Sequence, residues 1–102
     1  MPKPLIRTNN LIDLFKLNID LLKKTDDTIH INLIYSKNDN LNINCDYEQI
    51  SRTIFNLIKN SIESIQERAL KYPDFIKKID IEIMSKNDYI TIILTKLELV
   101  DF

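Results

Sequence analysis

The chain has 102 residues, enough for one small domain or a piece of a larger one. Its net charge of -1 gives no electrostatic footing for nucleic acid or an anionic membrane surface, and a single cysteine, Cys45, excludes an internal disulfide and fits a reducing, cytoplasmic setting. No apolar run approaches the roughly 20 residues of a membrane helix, the N-terminus lacks a signal-peptide core, and a glycine count of 0 excludes any glycine-dependent phosphate loop within the chain.

Residues 1 to 9, "MPKPLIRTN", carry two of the prolines and read as an extended lead-in with one short strand. A helix follows over residues 10 to 23, with Asn10 as its cap, Asp13 in the first turn and Lys23 and Lys24 at its end. Its apolar stripe is Leu11, Phe15, Ile19 and Leu22. "TIHINLIYS" then alternates, placing Ile29, Ile31, Leu33 and Tyr35 on one face and His30 and Asn32 on the other. "KNDN" is turn chemistry, and "LNINC" alternates again through Leu41, Ile43 and Cys45, so residues 29 to 45 predict an antiparallel hairpin. Asp46 with Gln49 resembles a capping box for a second helix, from about Tyr47 to about Lys71, ahead of Pro73. The predicted inward stripe of this helix is Ile50, Ile54, Leu57, Ile58, Ser61 and Ile65. "IDIEI" and "YITIIL" form a second hairpin across "SKND". Single-striped helices and one-faced strands assemble as a two-layer α/β sandwich of the α+β class, a mixed sheet with two helices on one face.

A polar file runs along the second helix through Gln49, Thr53, Asn56, Asn60 and Glu63, opposite the apolar stripe. Periodicity alone assigns this file to solvent. Two carboxamide oxygens one turn apart also suit Mg²⁺, which prefers oxygen ligands, keeps several waters and sits beside nucleotide phosphates. Spacing does not choose between these readings.

"DYEQISRTIFNLIKNSIESI" resembles the N box of histidine-kinase ATP-binding domains of the GHKL superfamily, in which an acidic residue opens the helix and a hydrophobic run leads into N-L-x-x-N-[AS]. "MPKPL" resembles the Met-Pro-x-Pro junction that follows the dimerisation helices in NtrY-type nitrogen-regulation sensor kinases. The resemblance covers residues 1 to 95 and implies a truncated GHKL (Bergerat-type) ATPase fold. It implies a linker over 1 to 9, a partial ATP-binding domain over 10 to 95 and an aberrant tail over 96 to 102. By the same resemblance Asn60 matches the Mg²⁺-liganding asparagine, and Asn56 matches the asparagine that approaches the phosphates or the metal. Mg²⁺ and ATP are the implied cofactors, and a response regulator is the partner in the parent family.

The chain departs from that pattern after "ITIILT". Where the family has D-N-G-x-G, with an Asp that reads adenine and glycines that turn beneath the nucleotide, this sequence has "KLELVDF". Codons for that tail, read in a shifted frame, can encode Gly-Val-Gly-Gly-Phe, so a decayed kinase gene is one expected origin. His30, mid-strand, is not expected to replace the phosphoacceptor histidine, and Cys45 reads as a small packing residue. The leading expectation is therefore a kinase ATP-binding remnant with no phosphotransfer of its own and weak nucleotide contact. The alternative is an interaction module whose exposed edge strand pairs with a second copy or docks on an intact histidine kinase.

Overall fold

A computed structural model describes residues 5–72, 77–87 and 89–97. Their order is β1 (Ile6–Asn10), α1 (Leu11–Lys23), β2 (His30–Tyr35), β3 (Asn42–Asp46), α2 (Tyr47–Lys71), β4 (Lys78–Lys86) and β5 (Tyr89–Leu97). Asn10 caps α1 as its spacing predicts: its side chain accepts from the Asp13 amide at 3.1 Å, satisfying one orphan donor of the first turn. Asp46 does the same for α2, accepting from the Gln49 amide at 3.1 Å, while its second oxygen accepts from the Leu5 amide at 3.0 Å.

Three strands form a mixed sheet in the order β2-β4-β5. β2 runs parallel to β4, with Ile31 beside Ile79 and Leu33 beside Ile81, and β4 pairs antiparallel with β5, with Ile81 beside Leu94 and Ile83 beside Ile92. Parallel neighbours need a long crossover, and α2 supplies it. The central strand takes the deepest burial: Ile79, Ile81 and Ile83 of β4 are fully enclosed. They join one core with Leu11, Phe15 and Ile19 of α1, Ile29 just before β2 and Ile31 within it, and Ile54, Ile58 and Ile65 of α2. The predicted α+β class, with a mixed sheet and two helices, is what the chain adopts. The second predicted hairpin is also present, turning at Asn87, whose φ of 50° lies in the left-handed region. In a chain without glycine, asparagine is among the residues that enter that region at least cost.

The first predicted hairpin is not formed. β3 does not pair with β2; it pairs antiparallel with β1, Arg7 opposite Cys45 and Asn9 opposite Ile43, in a separate two-stranded ladder. The turn chemistry of residues 36–40 is real, with the Asp39 amide donating to the Ser36 carbonyl and the Asn42 amide to the Asn40 side chain. Leu41 then sends the chain elsewhere. Its side chain is buried in the core and its carbonyl accepts from the Leu11 amide at 2.9 Å, so the following strand lies alongside β1 rather than folding back on β2. The alternation itself survives, since Ile29, Ile31 and Leu41 are buried and Leu33, Tyr35 and Ile43 pack on the core.

On α2 the predicted stripe holds at Ile54, Ile58, Ser61 and Ile65, with Ile50 half-buried. Leu57 is the exception: it is 40% exposed, and Ile62, one turn after Ile58, occupies the core in its stead. A 25-residue straight helix drifts relative to any fixed spacing, and the packed line here follows 54, 58, 61, 62 and 65. Asn18 is the buried polar link between the helices, donating to the Leu14 carbonyl at 2.8 Å and to the Ser51 hydroxyl at 3.2 Å.

Candidate functional site

The predicted polar file lies on α2, whose start is fixed by the Asp46 cap and whose rotation is fixed by the buried line at Ile54, Ile58 and Ile65. With those residues turned inward, Gln49, Thr53, Asn56, Asn60 and Glu63 are all exposed. Successive helical residues are about 100° apart, so Asn56 and Asn60 each stand about 200° from Ile58 and one turn from each other. The helix thus brings the two carboxamides onto a common outward face. Thr53 is tied to its own helix by a 3.0 Å bond to the Gln49 carbonyl, whereas the side chains of Asn56 and Asn60 make no hydrogen bond among the described residues.

Charge on this face is mixed. Lys59 and Glu63 approach at 3.9 Å, with both side chains more than half exposed, which is a weak surface pair. Arg52, one turn before Asn56, is exposed as well. Sequence reading passed over Arg52; its signal was the same four-residue spacing that links the two asparagines. A cation four residues before Asn56 and another three after it give the face two positive groups beside the carboxamides.

Two surface depressions are lined by other residues, the first of them bordering the carboxamide face at Arg52. One, of about 480 Å³, is lined by Asn18, Tyr47, Glu48, Ser51, Arg52 and Phe55. The other, of about 290 Å³, lies between the start of α1 and the loop after β2, with Asp13, Lys16, Tyr35 and Asp39 in its wall; there the Lys16 ammonium sits 5.6 Å from the Tyr35 ring centre. Neither depression reaches Asn56 or Asn60. No group of three or more His, Cys, Asp or Glu residues able to hold a metal occurs among the described residues.

His30 opens β2 as an exposed residue rather than sitting within the strand, with its backbone amide donating to the Lys77 carbonyl at 2.9 Å. Cys45 is half-buried near the end of β3, where the Asn9 side chain reaches its carbonyl at 3.3 Å and its sulfur at 3.5 Å. His30 is thus a surface strand residue, and the half-buried Cys45 fits a packing role. Among the described residues, the most perturbed titratable group is one that sequence patterns did not reveal. Asp26, in the loop after α1, accepts from Thr28, from Gln66 of α2 at 2.9 Å and from Lys77 at 3.1 Å. The Thr28 and Gln66 hydrogen bonds, chiefly, hold its carboxyl far below the ordinary value of 3.8. Thr28 is a local partner two residues on, but Gln66 and Lys77 lie 40 and 51 residues away, so local spacing does not signal the whole cluster.

This is an α+β domain with a mixed three-stranded sheet, two helices and an exposed carboxamide pair on the longer helix. No protein-family model matches the chain. Over 97 residues it is 31% identical to the "Putative sensor histidine kinase NtrY-like" protein of Rickettsia felis, a match that takes in 92% of this chain and 14% of that protein. The similarity supports a relationship to sensor histidine kinases. The chain spans about one-seventh of the length of that relative. No helix among the described residues is long and apolar enough to cross a membrane.

Proposed function

We propose that the chain is a partial ATP-binding domain of the histidine-kinase type, related to NtrY-like sensors, with weak Mg²⁺–nucleotide contact and no phosphotransfer of its own. The observation that carries this reading is the exposed pair Asn56 and Asn60, one turn apart within the "NLIKNS" stretch of α2. Similarity across 97 residues to an NtrY-like kinase supports it, as does the continuity of helix, strands, long helix and strand pair along the chain.

The donor chemistry fits the proposed ligands in part. Asn60 would offer its carboxamide oxygen to Mg²⁺, and Asn56 would offer its own to the metal or its amide to a phosphate oxygen. Mg²⁺ retains waters readily, so two protein oxygens suffice when phosphates complete the shell. The metal would offset phosphate charge when bound, and Arg52 and Lys59 would add positive potential on the same face. An exposed helix face without an enclosing wall leaves such contacts in high dielectric, which keeps them weak. Phosphoryl transfer depends on positioning and on charge stabilisation in a water-excluded site. A chain with no glycine and no Asp in the "TKLEL" segment lacks the adenine-reading and phosphate-turning parts of the family pattern, so binding without transfer is the expected behaviour.

Titration of the purified chain with Mg²⁺-ATP, followed by NMR of the asparagine side-chain amides, tests the reading. Saturable shifts at Asn56 and Asn60, lost in Asn60→Ala, are expected. No shift at millimolar nucleotide would overturn the proposal and leave the two residues as solvated surface.

A further inference from the structure

We infer that β5 is a self-pairing edge through which two copies of this chain join antiparallel about a two-fold axis at Ile93. This goes beyond the nucleotide reading and stands or falls separately from it. β5 closes one side of the β2-β4-β5 sheet, and among the described residues no strand pairs with its far side. A strand left this way presents a row of unpaired amides and carbonyls, which natural sheets usually guard with charge, proline or a bulge. Residues 89–95 read Tyr-Ile-Thr-Ile-Ile-Leu-Thr, with no charge and no proline, in continuous ladder with β4; the one charged residue of the described strand, Lys96, lies next to its end.

The helices also stop short of this strand. Ile83 of β4 is fully enclosed, yet its neighbour on the same face, Ile92, is 38% exposed. Ile90 and Leu94, on that face too, are only half-buried against the core. On the opposite face Ile93 is 42% exposed, opposite Glu82 of β4. β5 therefore offers apolar side chains on both faces together with a free backbone edge.

Its sequence can pair with itself in an antiparallel register centred on Ile93. The strand runs Tyr89–Leu97, so an axis at Ile93 lets every residue find a partner. That axis sets Ile93 against the second copy's Ile93, Ile92 against Leu94 and Thr91 against Thr95, with Ile90 against Lys96 and Tyr89 against Leu97 toward the ends. Apolar, aromatic and β-branched cross-strand pairs of this kind stabilise antiparallel strands, and no like charges face each other among residues 89–95. On the core side the pairing of Ile92 with Leu94 would merge the two half-covered ledges into one. The opposite edge is a poorer candidate. β2 has six residues, and its outward face carries His30 and Asn32 beside Ile34. A single strand edge buries less than the ~800 Å² per partner of a standard interface, so the dimer should be concentration-dependent.

Sedimentation velocity of the 102-residue chain from about 5 to 500 µM is the test, a range set by the modest interface expected. A monomer–dimer equilibrium is expected. Ile93→Lys sets two ammonium groups face to face on the axis and should weaken the dimer at least tenfold. Because Ile93 is exposed on the face away from the helices, that variant should keep the parent circular dichroism spectrum. Ile34→Lys, on the other edge of the sheet, should leave the dimer intact. In a Cys45→Ser background, Ile93→Cys should form a disulfide-linked dimer on oxidation. A chain that stays monomeric across the range would overturn the inference. So would a dimer insensitive to Ile93→Lys, one lost instead in Ile34→Lys, or open-ended aggregation without a dimer plateau.

Discussion

The two helices begin alike and differ in what they bury. Each follows a strand directly and opens on an Asx cap that accepts from the amide three residues on. In α1, seven of 13 residues are buried, including Leu11, Ile12, Leu14 and Phe15 in its first turns. In α2, only five of 25 are buried, along one line from Ile54 to Ile65. Packing thus dictates most of the α1 sequence, whereas it leaves most of the α2 surface unconstrained. Asparagine is a mediocre helix former, and mid-helix, exposed and without a hydrogen bond it gains nothing locally. Asn18 shows the contrast, since it is buried on α1 and bonds to Leu14 and Ser51. Stability therefore accounts for the asparagine of α1 and not for the pair on α2.

The largest effect should come from the packed side of that comparison. Phe15 is fully enclosed where α1 meets the rest of the core. Phe15→Ala removes a ring from a close-packed site and is expected to cost about 3–5 kcal/mol, a large share of the total for a small domain. Urea unfolding should show a substantially lower midpoint or no folded baseline. A loss below about 1 kcal/mol would mean that α1 is not the keystone its burial indicates.

Asp26 joins the ends of both helices to the start of β4 and ranks next. Its side chain is 12% exposed and lies 3.1 Å from the Lys77 ammonium. Asp26→Asn keeps the shape and removes the charge, with an expected cost of about 1–3 kcal/mol at pH 7. The sign with pH follows from its lowered carboxyl value. The stabilisation is complete well above the unfolded-state value of 3.8 and drains away as pH falls below it toward the folded value. The stability gap between the parent chain and Asp26→Asn should therefore be constant from about pH 7 to 5 and narrow below about pH 4. A gap that widened on acidification would contradict this account.

How legible this chain is in its sequence follows the same division. Elements whose determinants are local could be read: the Asn10 and Asp46 caps, the α1 stripe, the extent of α2 and the β4–β5 hairpin each depend on residues within a few positions of one another. Strand partnership was misread where it depends on distant residues. The loop after β2 has hairpin chemistry, but burial of Leu41 and its bond to Leu11 send β3 to β1. Leu57 was misplaced for a similar reason, because only packing against the sheet fixes the rotation of a long helix. The carboxamide pair was legible as a shared face from spacing alone. The chemical role proposed for it rests on resemblance alone, since periodicity treats any exposed polar file as solvated surface.

The caps should give smaller effects of nearly equal size on the two helices, which sharpens the comparison. Asn10→Ala and Asp46→Ala each leave orphan amides at a helix start and should cost about 1 kcal/mol. Asp46→Ala should cost slightly more, because Asp46 also accepts from the Leu5 amide and adds negative charge at a helix N-terminus. Thermal unfolding of both variants in one buffer resolves that order. A clearly larger loss for Asn10→Ala would show that the start of α1 depends on more than its cap.

The smallest expected stability change carries the most functional information. Asn56→Ala and Asn60→Ala replace exposed, unbonded side chains with the best helix former, so each should leave stability unchanged or raise it by up to about 0.5 kcal/mol. If these residues are only solvated surface, the double variant gains that margin and loses nothing. If they serve the proposed Mg²⁺–nucleotide contact, the same variant becomes slightly more stable while its response to Mg²⁺-ATP disappears, the trade expected of residues retained for a site. Chemical denaturation and the nucleotide titration on one sample separate these outcomes. A stability loss above 1 kcal/mol would contradict both, because it would give the exposed face of α2 a structural task that its geometry does not show.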